Sequence, residues 1–281
     1  MKKIILLFVL ISSINVFAQE EEKEVKEKKL SISGSIDAYY QTYLSASDND
    51  EQSFGTSFAN RTGFALGMAN LIASYEGEKT GVVADLAFGP RGIDAVGGDN
   101  DIFINQLYAY WNVSEGTTLT LGRFNTYLGY EVISPTGNFN YSTSYLFSNG
   151  PFSHLGLKAD FTLSEDFSLM LAIMNATDVY DNMTGDYAFG AQLGYAGQFL
   201  NFYYDNDEVL GFEIDYTGGF DLTDSFYLGI NGAYQVSEDA GFYGASKSKR
   251  LGIINKVTTK PQRIEMVDKL FLAKKAKGNP K

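Results

Sequence analysis

Residues 153–174, SHLGLKADFTLSEDFSLMLAIM, alternate apolar and polar side chains on both sides of a short break at 164–166. A period of two places alternate side chains on opposite faces of a β-strand, so the stretch predicts a hairpin with one apolar face. Each arm has about ten residues, close to the 9–11 that a tilted strand needs to cross a bilayer. We expect the apolar phase to face lipid: Leu155, Leu157, Phe161, Leu169 and Leu171.

The same alternation recurs along the chain and predicts an all-β fold, a transmembrane antiparallel β-barrel formed by residues 31–246. About twelve strands can be recognised by this period, the last of them at 242–245. We expect the intact barrel to have more strands, and this chain to be incomplete at its C-terminal end. Short connections alternate with longer ones over most of the chain. The aromatics beside short turns fit an interfacial girdle: Phe161, Phe167, Phe220 and Phe226. A soluble β-sandwich is the alternative, since its connections also alternate in length.

Composition and charge exclude several classes of function. The chain has 281 residues with no Cys and one His, so it has no disulfide framework, no thiolate nucleophile and no two-histidine metal site. Half of the 22 Lys and Arg lie in the last 35 residues, which carry a charge of +9, whereas residues 1–246 carry −21. The acidic body argues against nucleic acid as a partner, because phosphate binding depends on clustered Lys and Arg.

The first 18 residues are predicted to be a signal peptide that exports the chain. Lys2 and Lys3 precede an apolar run at 4–14, and cleavage is predicted between Ala18 and Gln19. The apolar run is too short to span a bilayer as a helix. The charged stretch 19–30 is predicted to be a periplasmic linker, and the expected partner of the barrel is the lipid bilayer of the outer membrane.

Charged side chains in the polar phase are predicted to face the lumen of the barrel. The candidates are Asp37, Asp85, His154, Lys158, Asp160, Glu213 and Asp215. Five carboxylates against one lysine would make a water-filled interior negative and would favour cations modestly. Ions would pass through such an interior with cations preferred, and the pattern leaves the oligomeric state open, a homo-oligomer included.

Residues 125–152 form the longest connection, and their many aromatic side chains argue against disorder. A porin loop of this length can fold into the lumen and narrow it. The predicted constriction residues are Tyr130, Glu131, Asn138, Asn140 and Tyr141.

The order of four short motifs resembles a known family. LGRF at 121–124, LGYE at 128–131, NYS at 140–142 and GP at 150–151 are similar to the OmpL-like β-barrel porin family of Gram-negative outer membranes. The resemblance implies a water-filled barrel through which small hydrophilic solutes diffuse, without a cofactor or enzymatic activity. A barrel without conductance, whose loops bind a partner at the cell surface, is the alternative.

The alternation stops after Ala245, and the basic segment 247–281 follows. We predict that this segment is not part of the barrel. It could form a basic amphipathic helix, but an abrupt change of both composition and period favours a shifted reading frame or a truncation. The sheet would then keep an unpaired edge, which lipid cannot satisfy.

An enzymatic alternative rests on His154, which has Ser142, Ser144 and Asn138 near it in sequence, as in an outer-membrane phospholipase-like site. His154 falls in the lumen phase rather than the lipid phase, and the chain has no G-x-S-x-G motif. The acidic loops 99–101 and 205–208 lack the ligand spacing of an EF-hand. We therefore expect no enzyme activity and no metal or other cofactor.

Overall fold

The computed structural model of the protein describes residues 29–42, 58, 61–96, 103–182, 185–206, 210–224, 226–236 and 250–252. Within these ranges the strands form an antiparallel sheet in which neighbours in sequence are neighbours in space. Eleven strands have seven to fourteen residues, and a twelfth has three. The strands are β1 (Lys29–Gln41), β2 (Gly63–Glu76), β3 (Thr80–Phe88), β4 (Ile104–Ser114), β5 (Thr117–Asn125), β6 (Ser153–Thr162), β7 (Phe167–Met174), β8 (Ala188–Tyr195), β9 (Gln198–Tyr204), β10 (Phe212–Thr223), β11 (Phe226–Val236) and β12 (Arg250–Gly252). The predicted all-β class and antiparallel pairing are confirmed.

The sheet is not closed along the described part of the chain, because β1 pairs with β2 alone and β12 pairs with β11 alone. The open edges agree with the predicted incomplete barrel, and the sequential strand order differs from the two packed sheets of a sandwich.

Both predicted limits of the strand region differ from the structure. Lys29 and Leu30, assigned to the charged linker, belong to β1. β12 lies inside the segment predicted to leave the sheet, and it pairs with residues 231–233 of β11. The strand predicted at 242–245, the rest of the basic segment and the predicted cleavage site between Ala18 and Gln19 lie outside the described residues.

Alternate side chains face opposite sides of the sheet, as a pleated strand requires. In the hairpin of β6 and β7, Leu157 is 42% exposed and Leu171 is 48% exposed, whereas His154 is fully buried. Each of the eleven long strands exposes at least one large apolar side chain on the same side as Leu157, which we call the outer face. Phe167 and Tyr195 lie on this face beside two short turns, with 5.5 Å between their ring centroids.

A bulge in β2 changes the alternation, because Gly67 and Met68 lie opposite the single residue Asp37. In a regular strand Met68 would share the exposed face of Leu66, but the bulge turns its side chain into a buried position. The N–H of Met68 donates a 2.8 Å hydrogen bond to Oδ1 of Asp37. The bulge therefore reverses the phase of β2 from Gly67 onward.

Besides a 3₁₀ helix at Pro135–Gly137, two short α-helices lie in connections between strands: α1 (Pro90–Val96) and α2 (Tyr145–Ser148). Both contribute to a buried apolar cluster, the loop cluster, formed by Phe58, Met68, Ala87, Val96, Ile133 and Phe147. None of the helices in the described part of the chain has the length and apolarity that a membrane-spanning helix needs.

Candidate pore site

Residues 125–152, the long loop, fold back over the inner face of the sheet. The hydroxyl of Tyr127 donates a 2.7 Å hydrogen bond to the backbone oxygen of Phe202 on β9. The N–H of Gly129 donates to Oδ1 of Asp215 on β10 at 2.9 Å. The first part of the loop is therefore attached to the later strands of the sheet.

β1 and α1 hold the middle of the long loop. The hydroxyl of Tyr141 donates a hydrogen bond to the carboxylate of Asp37 on β1. The buried Arg91 of α1 donates from Nε to the backbone oxygen of Ile133 at 2.9 Å, and from Nη1 to that of Tyr141 at 3.2 Å. Burial lowers the pKa of the Arg91 guanidinium, and nearby Tyr141 and Asp37 oppose that shift. The loop is thus tied to strands near both ends of the sheet.

Glu131 and Asn138 fold the long loop on itself. The N–H of Ser144 donates to the Glu131 carboxylate at 2.9 Å, and the Ser144 hydroxyl donates to it as well. The Asn138 amide bonds both the N–H and the C=O of Val132, each at 2.7 Å. Burial raises the pKa of the Glu131 carboxyl, although its hydrogen bonds from Ser144 oppose the shift. Asn140, also predicted in the constriction, is half-buried in the same loop.

Several predicted lumen carboxylates are engaged in buried hydrogen bonds. Asp85 accepts a 2.7 Å bond from the amide of Asn70. Asp215 accepts a 2.6 Å bond from Asn201 and another from Asn231, in addition to the bond from the loop. These carboxylates lie on the inner face and join strands to one another and to the loop, and the cation preference stays a prediction.

Glu213 is also enclosed, since only 5% of it is exposed. It borders a small pocket of about 30 Å³ together with Glu131, Asp215 and Asn231. Across the described residues, no group of three or more His, Asp or Glu is arranged to hold a metal ion.

His154 lies beneath the long loop, and its Nε2 is 3.0 Å from Oγ1 of Thr126. Its ring packs against that of Tyr127, with 5.1 Å between the centroids. Ser144 and Asn138, its partners in the enzymatic alternative, bond instead to other residues of the loop. The structure therefore gives these three side chains separate partners.

A cavity of about 690 Å³, the loop cavity, lies between the long loop and strands β4–β6 and β8–β10. Of the predicted site residues, Tyr130, Lys158 and Asp160 line it. The Lys158 ammonium lies 2.8 Å from the Asp160 carboxylate and forms an ion pair with it. Uncharged polar and aromatic side chains form much of the remaining wall, among them Gln106, Tyr108, Tyr110, Thr120, Gln192 and Thr217.

Sequence reasoning missed the side chains that position the loop and the carboxylates. Three of them are amides on the inner face beside Asp85 or Asp215: Asn70, Asn201 and Asn231. An amide in the polar phase of a strand was the sequence signal that could have identified them. Arg91 lies in a connection without periodicity, so no sequence signal marked its role.

The sequence profile of a family matches most of the chain. That family is described as "Putative beta-barrel porin-2, OmpL-like", and the match covers residues 29–258. It begins at the first residue of β1 and continues past β12. No curated protein shows a significant match to the chain.

Proposed function

Because the chain belongs to the OmpL-like beta-barrel porin-2 family, we propose that its sheet closes into a transmembrane barrel through which small hydrophilic solutes or ions diffuse passively. The proposal places the barrel in the outer membrane after export with a cleaved signal peptide. It requires neither a cofactor nor a catalytic residue.

The apolar outer face supports insertion of the sheet in lipid. Leu107 and Trp111 of β4 and Leu121 of β5 are about half exposed or more, although each is large and apolar. Exposed apolar surface of this extent on one face marks contact with a partner or a membrane. Backbone groups at an open sheet edge cannot be satisfied in hydrocarbon, so insertion also requires closure of the sheet.

The loop cavity is the observation that carries the diffusion proposal. The cavity lies on the inner face and has a volume of about 690 Å³. Its wall includes residues of the long loop and also residues close to short turns, such as Thr118 and Phe199. A polar space along the strands beneath a folded loop is the arrangement expected of a porin that is narrowed from within.

Swelling of proteoliposomes in isosmotic solutes tests the proposal. Full-length protein is reconstituted, its β-structure in the vesicles is verified by circular dichroism, and swelling is followed in glucose, a disaccharide and a tetrasaccharide. We expect swelling rates that fall steeply as the solute grows, and no swelling of protein-free vesicles. Vesicles with folded protein that do not swell in glucose would contradict diffusion.

A non-conducting surface barrel is the second candidate, and the amount of apolar packing inside the sheet favours it. Besides the loop cluster, a second buried cluster joins the long loop to the inner face: Phe124, Leu128, Met174, Ala188, Tyr203 and Leu210. A packed interior suits a structural barrel. The same swelling experiment separates the two functions.

A further inference from the structure

We propose that the loop cavity binds neutral, hydroxylated ring compounds, namely sugars, and that these are the solutes favoured by the pore. This inference rests on the proposed function, since it names the class of solute. It depends on the charge of the cavity, the placement of its aromatic rings and the orientation of its amides.

The loop cavity is electrically balanced. Lys158 and Asp160 are the charged side chains that line it, and they neutralise each other in the 2.8 Å ion pair. The Lys158 ammonium also lies 5.5 Å from the centre of the Phe124 ring. A balanced wall offers little compensation for the desolvation of a charged solute, whereas a neutral solute does not incur that cost.

Aromatic rings lie against the wall of the cavity where glycine leaves room for them. A Cβ added at Gly81 on β3 would collide with the ring of Tyr110 on β4, its neighbour in the sheet. A Cβ at Gly190 on β8 would likewise meet the Tyr127 ring of the long loop. Both tyrosines also line the cavity, so part of each ring borders the space that a solute would occupy. Flat rings that present their faces can stack on the apolar C–H faces of a sugar ring.

The polar side chains of the cavity are held in fixed orientations. Oε1 of Gln106 accepts a 3.2 Å bond from the N–H of Asn125, which directs its NH₂ group away from the backbone. The NH₂ group of Gln192 donates to Asn201 at 2.8 Å, which leaves its carbonyl oxygen as the group for a solute. Amides can thus offer both a donor and an acceptor, and sugar hydroxyls use both.

The size of the cavity fits a small molecule. Pockets that bind such ligands commonly measure about 300–1,000 Å³ and combine aromatic walls with a few oriented polar groups. The loop cavity, at about 690 Å³, lies within this range.

Binding of maltose to full-length protein in detergent, measured by titration calorimetry, tests the inference. Glucuronate serves as a charged probe and sorbitol as a hydroxylated probe without a ring. We expect maltose to bind at least about fivefold more tightly than either. Equal binding of all three, or none, would overturn the inference.

Substitutions at Tyr110 separate stacking from general damage. Tyr110→Ala should weaken maltose binding about three- to tenfold, as the loss of one stacked ring predicts, and Tyr110→Phe should largely restore it. Gly81→Ala should also weaken binding, because it displaces the same ring without removing it. Tyr204→Ala, on the exposed outer face, is the matched control. Loss of binding in Tyr204→Ala as large as in Tyr110→Ala would contradict the site.

The two proposals fail in different ways. Vesicles that swell in glucose while maltose does not bind would overturn the sugar site and leave diffusion standing. If vesicles do not swell but the protein binds maltose in a way that depends on Tyr110, the sugar site stands and diffusion through the pore is overturned.

Discussion

Gly129 and Asp215 are 86 residues apart, yet the N–H of Gly129 donates a 2.9 Å hydrogen bond to Oδ1 of Asp215. Gly129 has a φ of +75°, a region that glycine enters without strain, so its N–H can be presented to the strand. Asp215 is positioned by Asn201 and Asn231 on the strands beside it. This contact attaches the start of the long loop to the inner face.

Replacement of Asp215 by Ala should destabilise the protein. It removes the acceptor for Gly129 and leaves the buried amides of Asn201 and Asn231 without their carboxylate, which costs about 1–3 kcal/mol for each group left unsatisfied. Denaturant unfolding in detergent measures the change. Asp166→Ala, at an exposed turn, is the control and should change the free energy of unfolding by less than about 0.5 kcal/mol. Equal effects in both variants would contradict the anchoring role.

The Tyr141 hydroxyl should contribute to docking of the loop on β1. Tyr141→Phe keeps the ring and removes the hydrogen bond to Asp37, a bond to a charged acceptor of about 1.5–3 kcal/mol. We expect the free energy of unfolding to fall by an amount in that range. Tyr195→Phe, which changes an exposed ring of the outer face, should have no measurable effect. An unchanged free energy of unfolding in Tyr141→Phe would show that docking of the loop does not depend on this contact.

Stability should decline with rising pH because of Glu131. Burial raises the pKa of its carboxyl in the folded protein above the ordinary value of 4.5, so the folded protein holds this proton more tightly than the unfolded chain. The stabilising effect of that proton is complete below pH 4.5 and disappears as pH rises through the higher folded pKa. Free energies of unfolding measured across this interval should show the decline, and Glu131→Gln should remove its contribution. An unchanged pH profile in Glu131→Gln would refute the assignment.

Neighbouring residues of β6 should differ in their exposure to water when the protein is in a membrane. Leu157 is on the outer face and Lys158 lines the loop cavity. The chain has no native Cys, so Leu157→Cys and Lys158→Cys can each be labelled selectively. A water-soluble maleimide should modify position 158 and not 157, and a lipid-soluble reagent should modify 157. The reverse labelling pattern would show that the face carrying Leu157 is exposed to water and the face carrying Lys158 is exposed to lipid.

Much of the fold could be predicted from the sequence because a period of two is visible in a single strand. The hairpin of β6 and β7 and the opposite phases of Leu157 and His154 follow from it directly. The bulge at Met68 was less predictable, since one extra residue reverses the phase of everything beyond it. The open edge was expected only from the abrupt end of the alternation, because strand pairing between distant ends leaves no local pattern.

The site was harder to predict than the strands. Its long loop was expected to enter the interior from its length and aromatic content, but its contacts depend on residues far away, such as Arg91 and Asp37. The alternation placed Asp85 and Asp215 on the inner face, but it does not show that neighbouring amides bond to both carboxylates. The assignment of the basic segment beyond residue 252 stays a prediction.

Single-channel conductance of the full-length protein in planar bilayers tests the central claim most directly, since that claim is a water-filled passage narrowed by the long loop. We expect discrete channels from the wild type, and channels of several times higher conductance from Asp215→Ala, in which the loop loses its attachment to β10. Asp166→Ala should conduct like the wild type. No channels from folded, inserted protein, or identical conductance in wild type and Asp215→Ala, would contradict the account.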